Sequence, residues 1–182
     1  MTGRARVLVI GLGNPLMGDD GLGLAALERL RSGPTLPESV ELVDGGTWGL
    51  NLLHRIESAE QVLFLDAVNA GRAPGETVIM EREELPRLLG VKLSPHQIDL
   101  REVLALAELR ETLPKTMAAL GLQPASVELR AGLSPAVAER LDTLVGAARD
   151  RLRAWGHRLA EEDVPAHGVA TCRPGEQSPG AG

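Results

Sequence analysis

Three short apolar runs, each ending on glycine or aspartate, constrain this chain more than anything else in it. Val7-Leu-Val-Ile10 runs into Gly11, Val40-Glu-Leu-Val43 into Asp44-Gly45-Gly46, and Gln61-Val-Leu-Phe-Leu65 into Asp66. A nearly continuous apolar run suits a strand covered on both faces. Between these runs lie stretches of helical period. Leu22, Leu24, Ala25, Leu27 and Leu30 make one broad stripe over Gly21–Leu30, and Trp48–Ile56 forms a second, shorter one. Asp19 and Asp20 stand where the first helix takes its N-cap. The βαβαβ order predicts an α/β fold, an open and mainly parallel sheet with helices on both faces.

Further along, Thr77–Met80 reads as a strand after the Pro74-Gly75 turn signal, and Glu83–Leu89 as a helical turn or short helix. Ile98–Leu109 reads as a helix with Ile98, Val103, Leu104, Leu106 and Ala107 inward. One more strand follows, and both Met117–Leu122 and Val127–Leu129 fit its pattern. A closing helix over Leu141–Trp155 begins near Ser134-Pro135, a cap followed by proline. After Gly156 the composition changes, and His167–Gly182 is rich in Pro, Gly and Ser. The expected organisation is one domain over residues 1–156 and a disordered tail over 157–182.

Composition narrows the function classes. The 182 residues carry 19 basic and 25 acidic side chains, a net charge of −6, which argues against nucleic acid or an anionic membrane as partner. No apolar run approaches the roughly 20 residues that span a bilayer. Met1–Arg6 shows no signal-peptide apolar region. The single cysteine, Cys172, excludes an internal disulfide and a multi-cysteine metal site, so a reducing cytoplasmic setting is expected. There is no tyrosine, one phenylalanine and two tryptophans, too few for base or sugar stacking.

Functional groups of an open α/β sheet gather beyond the carboxyl ends of its strands. Asp19-Asp20, Asp44 and Asp66 all fall there, and Ser94-Pro-His-Gln97 lies just before a helix. Singly, each has an ordinary reading: Asp19 as an N-cap, Asp20 as a helix-start charge, Asp44 as a turn residue, His96 as a loop histidine. Asp66 is harder to set aside, because a carboxylate closing a buried strand must be paired or bound. Together, two carboxylates and one imidazole from three loops can hold a divalent cation and leave positions open. Nickel, zinc, manganese and iron all suit such a set. A dinucleotide site is disfavoured, since Gly11-x-Gly13 is followed by Leu16 where the third glycine belongs.

Gly11-Leu-Gly-Asn-Pro-Leu-Met-Gly-Asp-Asp-Gly-Leu-Gly23 resembles the opening of the hydrogenase maturation proteases. Asp44-Gly-Gly-Thr47, Asp66-Ala-Val68, Ser94-Pro-His-Gln97, Gly121-Leu-Gln-Pro124 and Gly132-Leu-Ser-Pro135 are similar to later landmarks of that family, in order. The resemblance covers about residues 5 to 155. It implies an endopeptidase, aspartic-type or metal-dependent, that removes the C-terminal extension of a nickel–iron hydrogenase large-subunit precursor after nickel insertion. It implies Asp20, Asp66 and His96 as metal-binding and catalytic residues, the Ni2+ being brought by the substrate while the free enzyme binds a divalent cation weakly. The implied fold is three-layered and phosphorylase/hydrolase-like, a twisted five-stranded sheet with one antiparallel strand, which selects the 117–122 run. A monomer is expected. The backbone amides of Gly45, Gly46 and Thr47 are candidates for holding the substrate tail, with a plain turn as the alternative. Two rivals accompany this reading. A nickel-dependent chaperone for the precursor would use the same ligands without cutting. A peptidyl-tRNA hydrolase shares Gly-Leu-Gly-Asn-Pro, but expects glycine at Leu16, a tyrosine and a basic surface.

Overall fold

A computed structural model describes residues 7–46, 49–85 and 100–160. Its strands are β1 (Val7–Leu12), β2 (Val40–Gly46), β3 (Gln61–Ala67), β4 (Thr77–Glu81) and β5 (Thr116–Leu122). They form one sheet in the order β2-β1-β3-β5-β4. All neighbours are parallel except β4, which runs antiparallel to β5. The helices are α1 (Leu22–Ser32), α2 (Gly49–Ser58), α3 (Leu100–Leu109), α4 (Pro135–Ala138) and α5 (Leu141–Ala154).

The apolar runs are continuous because both faces of the sheet are covered. Val7, Val9, Leu63, Leu65, Ala118 and Leu120 pack with residues of α1 and α5. Leu8, Ile10, Val62, Phe64, Met117 and Ala119 pack with residues of α2 and α3 on the other side. The expected three layers, five strands and single antiparallel strand are all present. Of the two candidates for the last strand, 116–122 pairs with β3, while Leu129 is 82% exposed.

Four local expectations are corrected. Asp44 is not in a turn: β2 continues through Gly46, with Asp44 opposite Gly11, because β1 supplies a pairing partner that far. Leu106 is not inward: it is 37% exposed, lying off the stripe of Leu100, Val103, Leu104 and Ala107. The closing helix is two helices, turning at Arg140 (φ −101°, ψ −3°). Val137, Leu144 and Ala148 are buried across that break, so the apolar period runs through it unaltered. Ser134 does not cap α4 with its side chain. The remainder of Glu83–Leu89 beyond Leu85, and Ile98, lie outside the described residues.

Two contacts establish which end of the sheet each helix faces. Glu57, in the last turn of α2, pairs with Arg110 at 3.0 Å and accepts a bond from the Thr112 hydroxyl at 2.8 Å. Both helices therefore finish together at the amino edge, where β3 and β5 begin, and both start at the carboxyl edge. Past Gly156, His157 is 7% exposed, hydrogen-bonded through Nδ1 to Ser39 Oγ (2.9 Å) and through Nε2 to Gln61 Oε1 (2.8 Å).

Candidate active site

The loop after β1 is shaped by glycine. Gly13 has φ +108°, and a Cβ there would overlap the carbonyl oxygen of Asp20, so no other residue fits. A single 3-10 turn, Gly18–Gly21, then leads into α1. A Cβ on Gly23 would overlap the carbonyls of Leu12 and Leu65, so α1 begins pressed against the ends of β1 and β3. Asp20 is half-buried, and its Oδ2 accepts a bond from the Asn14 N–H at 2.8 Å.

Asp19 is not an N-cap; neither cap of this region has a side-chain bond. Its carboxylate is fully buried and reaches across to the chain beyond β5. Oδ2 accepts from the Ala125 N–H (2.8 Å), the Ser126 N–H (3.1 Å) and the Ser134 hydroxyl (2.8 Å), and Oδ1 from the Ser134 N–H (2.6 Å). Donating to Asp19 turns the Ser134 hydroxyl into the seam, and α4 has no side-chain cap. Burial pushes the Asp19 carboxyl upward, but the donors from Ser134, Ala125 and Ser126 outweigh it and hold it below the usual carboxylate range. Backbone bonds reinforce the seam, Gly18 N–H to Arg130 O (2.7 Å), Asp19 N–H to Ser126 O (3.0 Å) and Arg130 N–H to Leu16 O (3.0 Å).

Asp66, the sixth residue of β3, is 4% exposed and faces the same side as Val62 and Phe64 by strand alternation. Its Oδ1 accepts from the Ala67 N–H at 2.9 Å. The loop that follows wraps a buried amide. Gln123 Oε1 accepts from the Ala70 (2.8 Å) and Arg72 (3.1 Å) N–H groups, and its Nε2 donates to Asn69 Oδ1 (3.2 Å) and Pro124 O (3.3 Å). Two backbone N–H groups aimed at one end of the amide fix which end is oxygen.

Strand order places Asp20 and Asp66 at a meaningful point. From β1 the chain moves to β2 on one side, then returns to β3 on the other, so the order reverses between β1 and β3. The crevice outside a reversal of this kind is where open α/β sheets bind ligands. The loop carrying Asp20 leaves β1 there, and Asp66 ends β3. Asp44 lies one strand away, exposed, at the end of β2. His96, Thr47 and Cys172 lie outside the described residues. Among the described residues no three histidine, cysteine or carboxylate side chains are grouped to hold a cation. Sequence reasoning passed over Gln123 and Ser134, whose only signal was their place in the two Gly-Leu-x-Pro landmarks, and read Asp19 as an N-cap.

Fold and topology define an open α/β protein with aspartates on the loop after β1 and at the end of β3, either side of its switch point. Comparison with known proteins makes this specific. Residues 25–151 match the family HycI, hydrogenase maturation protease. The hydrogenase expression/formation protein HupD of Rhodobacter capsulatus is 42% identical over 153 residues, 83% of this chain and 73% of that one. The hydrogenase 2 maturation protease of Escherichia coli K12 is 36% identical over 152 residues, 83% of this chain and 93% of that one. Among solved structures, the hydrogenase maturating endopeptidase HybD from E. coli superposes with a TM-score of 0.80 at 34% identity, covering 85% of this chain and 96% of that one. The chain belongs to the hydrogenase maturation protease family, and it is a hydrolase of peptide bonds. Among the described residues no helix is long and apolar enough to cross a membrane.

Proposed function

We propose that this endopeptidase removes the C-terminal extension of a nickel–iron hydrogenase large-subunit precursor once nickel has been inserted. Asp20, Asp66 and His96 engage the nickel that the precursor carries, so that a loaded metal site is the condition for cutting. The observation that carries this reading is the pair of carboxylates flanking the β1/β3 switch point, one of them buried at a strand end. A carboxylate held at a strand end beside the switch point is a hard oxygen donor suited to a cation that arrives with the substrate. The similarity of Ser94-Pro-His-Gln97 to the family's histidine landmark supports the imidazole as third donor. Oxygen and nitrogen donors without thiolate suit transient engagement of nickel already held by the precursor's cysteines. Hydrolysis then needs an activated water and a stabilised tetrahedral oxygen. The cation stabilises the developing charge, and an aspartate carboxylate takes the proton from the attacking water. The acidic balance of the chain fits a protein substrate reached in the cytoplasm, with no nucleic acid involved.

The test is a cleavage assay on nickel-loaded and nickel-free precursor, with wild type beside Asp20→Ala, Asp66→Ala and His96→Ala. Release of the tail from loaded precursor alone, lost in all three variants, is the expected result. Equal cutting of nickel-free precursor would remove nickel from the recognition step. Binding of loaded precursor without cleavage would leave a chaperone.

A further inference from the structure

Residues 123–134, between β5 and α4, carry no group that hydrolysis uses, yet both loops flanking the crevice are tied to them. The Asp20-bearing loop is held through Asp19, whose buried carboxylate takes four bonds from Ala125, Ser126 and Ser134. The loop after Asp66 is held through Gln123, whose amide reaches Asn69, Ala70 and Arg72. The Gln123 backbone adds two more bonds to that loop, accepting from the Gly75 N–H (2.8 Å) and donating to Glu76 O (2.8 Å).

We propose that Asp19 and Gln123 are positioning residues: through them the 123–134 segment sets how Asp20 and Asp66 face each other across the switch point. The proposal rests on Asp20 and Asp66 as the carboxylates that engage the substrate's cation. The 3-10 turn makes the coupling direct. Successive side chains there are about 120° apart, so Asp19 can enter the seam while its neighbour Asp20 is turned toward Asn14 and the crevice. A change at Asp19 therefore moves the next Cα, with no intervening residue to absorb it. On the outer side of the loop, Pro15 and Leu16 are exposed, so the seam to 126–130 is the support on that flank. The Gly121-Leu-Gln-Pro124 and Gly132-Leu-Ser-Pro135 segments acquire a reason: Gln123 and Ser134 are the two ends of one anchor.

The experiment measures kcat and KM for cleavage of nickel-loaded precursor by the full chain, at a temperature where circular dichroism shows each variant folded. The variants are Asp19→Asn, Gln123→Ala and the milder Ser134→Ala, with Leu152→Ala as a control that weakens the core at the opposite end of α5. Asp19→Asn and Gln123→Ala are expected to lower kcat about a hundredfold, the effect of a displacement near 1 Å, with KM within about threefold of wild type. Ser134→Ala is expected to lower kcat by about tenfold and serves as the deciding variant should Asp19→Asn not fold. Leu152→Ala is expected to lose as much Tm while keeping kcat. Retention of kcat by the folded anchor variants, or an equal loss in Leu152→Ala, overturns the positioning role. Asp20→Ala and Asp66→Ala, assayed alongside, separate the two levels. If those two cut like wild type, the underlying site reading fails; if they are dead while the anchor variants are fully active, only the positioning proposal fails.

Discussion

Replacing Asp19 with alanine should cost most of the stability that one side chain can cost, and the structure gives the size. Four donors lose their acceptor. The Ala125 and Ser126 amides lie in exposed and half-buried positions, where water can replace the carboxylate. Ser134 is buried, so its N–H and hydroxyl are left unsatisfied, at about 1–3 kcal/mol each. Less the desolvation that the buried charge no longer incurs, the net is about 2–4 kcal/mol. For a domain of this size that corresponds to a fall in Tm of about 4–16 °C. Asp19→Asn should cost less. Its carbonyl oxygen can take the Oδ2 position with three donors, leaving only the Ser134 N–H facing an NH2 group, about 1–3 kcal/mol. The sign of the pH dependence follows from the depressed carboxyl. A group whose pKa is lower folded than unfolded stabilises above the unfolded value and loses that contribution as pH falls through the folded one. The gap between wild type and Asp19→Asn should therefore be constant from pH 7 to about 5 and shrink below about pH 4. Urea unfolding followed by circular dichroism at pH 7, 5, 4 and 3 measures both effects. An alanine variant within about 1 kcal/mol of wild type, an asparagine variant worse than alanine, or a gap that widens in acid would refute the reasoning.

Two further substitutions probe opposite ends of the sheet. Gly13→Ala combines a φ of +108° with overlap on the Asp20 carbonyl. It should cost about 1–3 kcal/mol and abolish cleavage in protein that is still folded, as read by kcat beside circular dichroism. His157→Ala removes the bonds to Ser39 and Gln61 at the amino edge. It should cost about 2–4 kcal/mol by urea unfolding and leave kcat unchanged, because it lies at the far end of the strands from the crevice.

What could be read from the chain follows physical range. Strands covered on both faces announce themselves as apolar runs, and βαβ handedness and order then place their ends, so Asp20 and Asp66 were legible as edge residues. Asp19 was not. Its partners lie 106, 107 and 115 residues away, and nothing local distinguishes an anchor from an N-cap at the same spot. Asp44-Gly-Gly carries strong turn chemistry, but pairing with β1 overrides it. The break at Arg140 is silent because Val137 and Leu144 are seven residues apart, nearly two turns, so the buried stripe continues as if the helix did. Gln123 follows a strand of apolar and small residues and looks like its polar end. Only the wrapped loop of 69–76 shows why it is an amide.

On the proposed reading the anchor has a definite opponent, which yields a last measurable consequence. Two carboxylates facing one crevice repel, and a cation between them removes that repulsion. The Asp19 seam, at about 2–4 kcal/mol, opposes their separation while the crevice waits for its cation. A divalent cation should then stabilise the free enzyme by mass action, by about 2.7 kcal/mol at a concentration 100 times its Kd. That is a rise in Tm of about 5–10 °C. Thermal melts of the wild type with rising Ni2+ should show it, while Asp20→Ala and Asp66→Ala should show little. Asp19→Ala should begin from a lower Tm and respond less steeply, since its carboxylates are free to separate before the cation arrives. Equal nickel shifts in wild type and Asp66→Ala would mean that the cation is bound elsewhere, and would detach the two carboxylates from the metal.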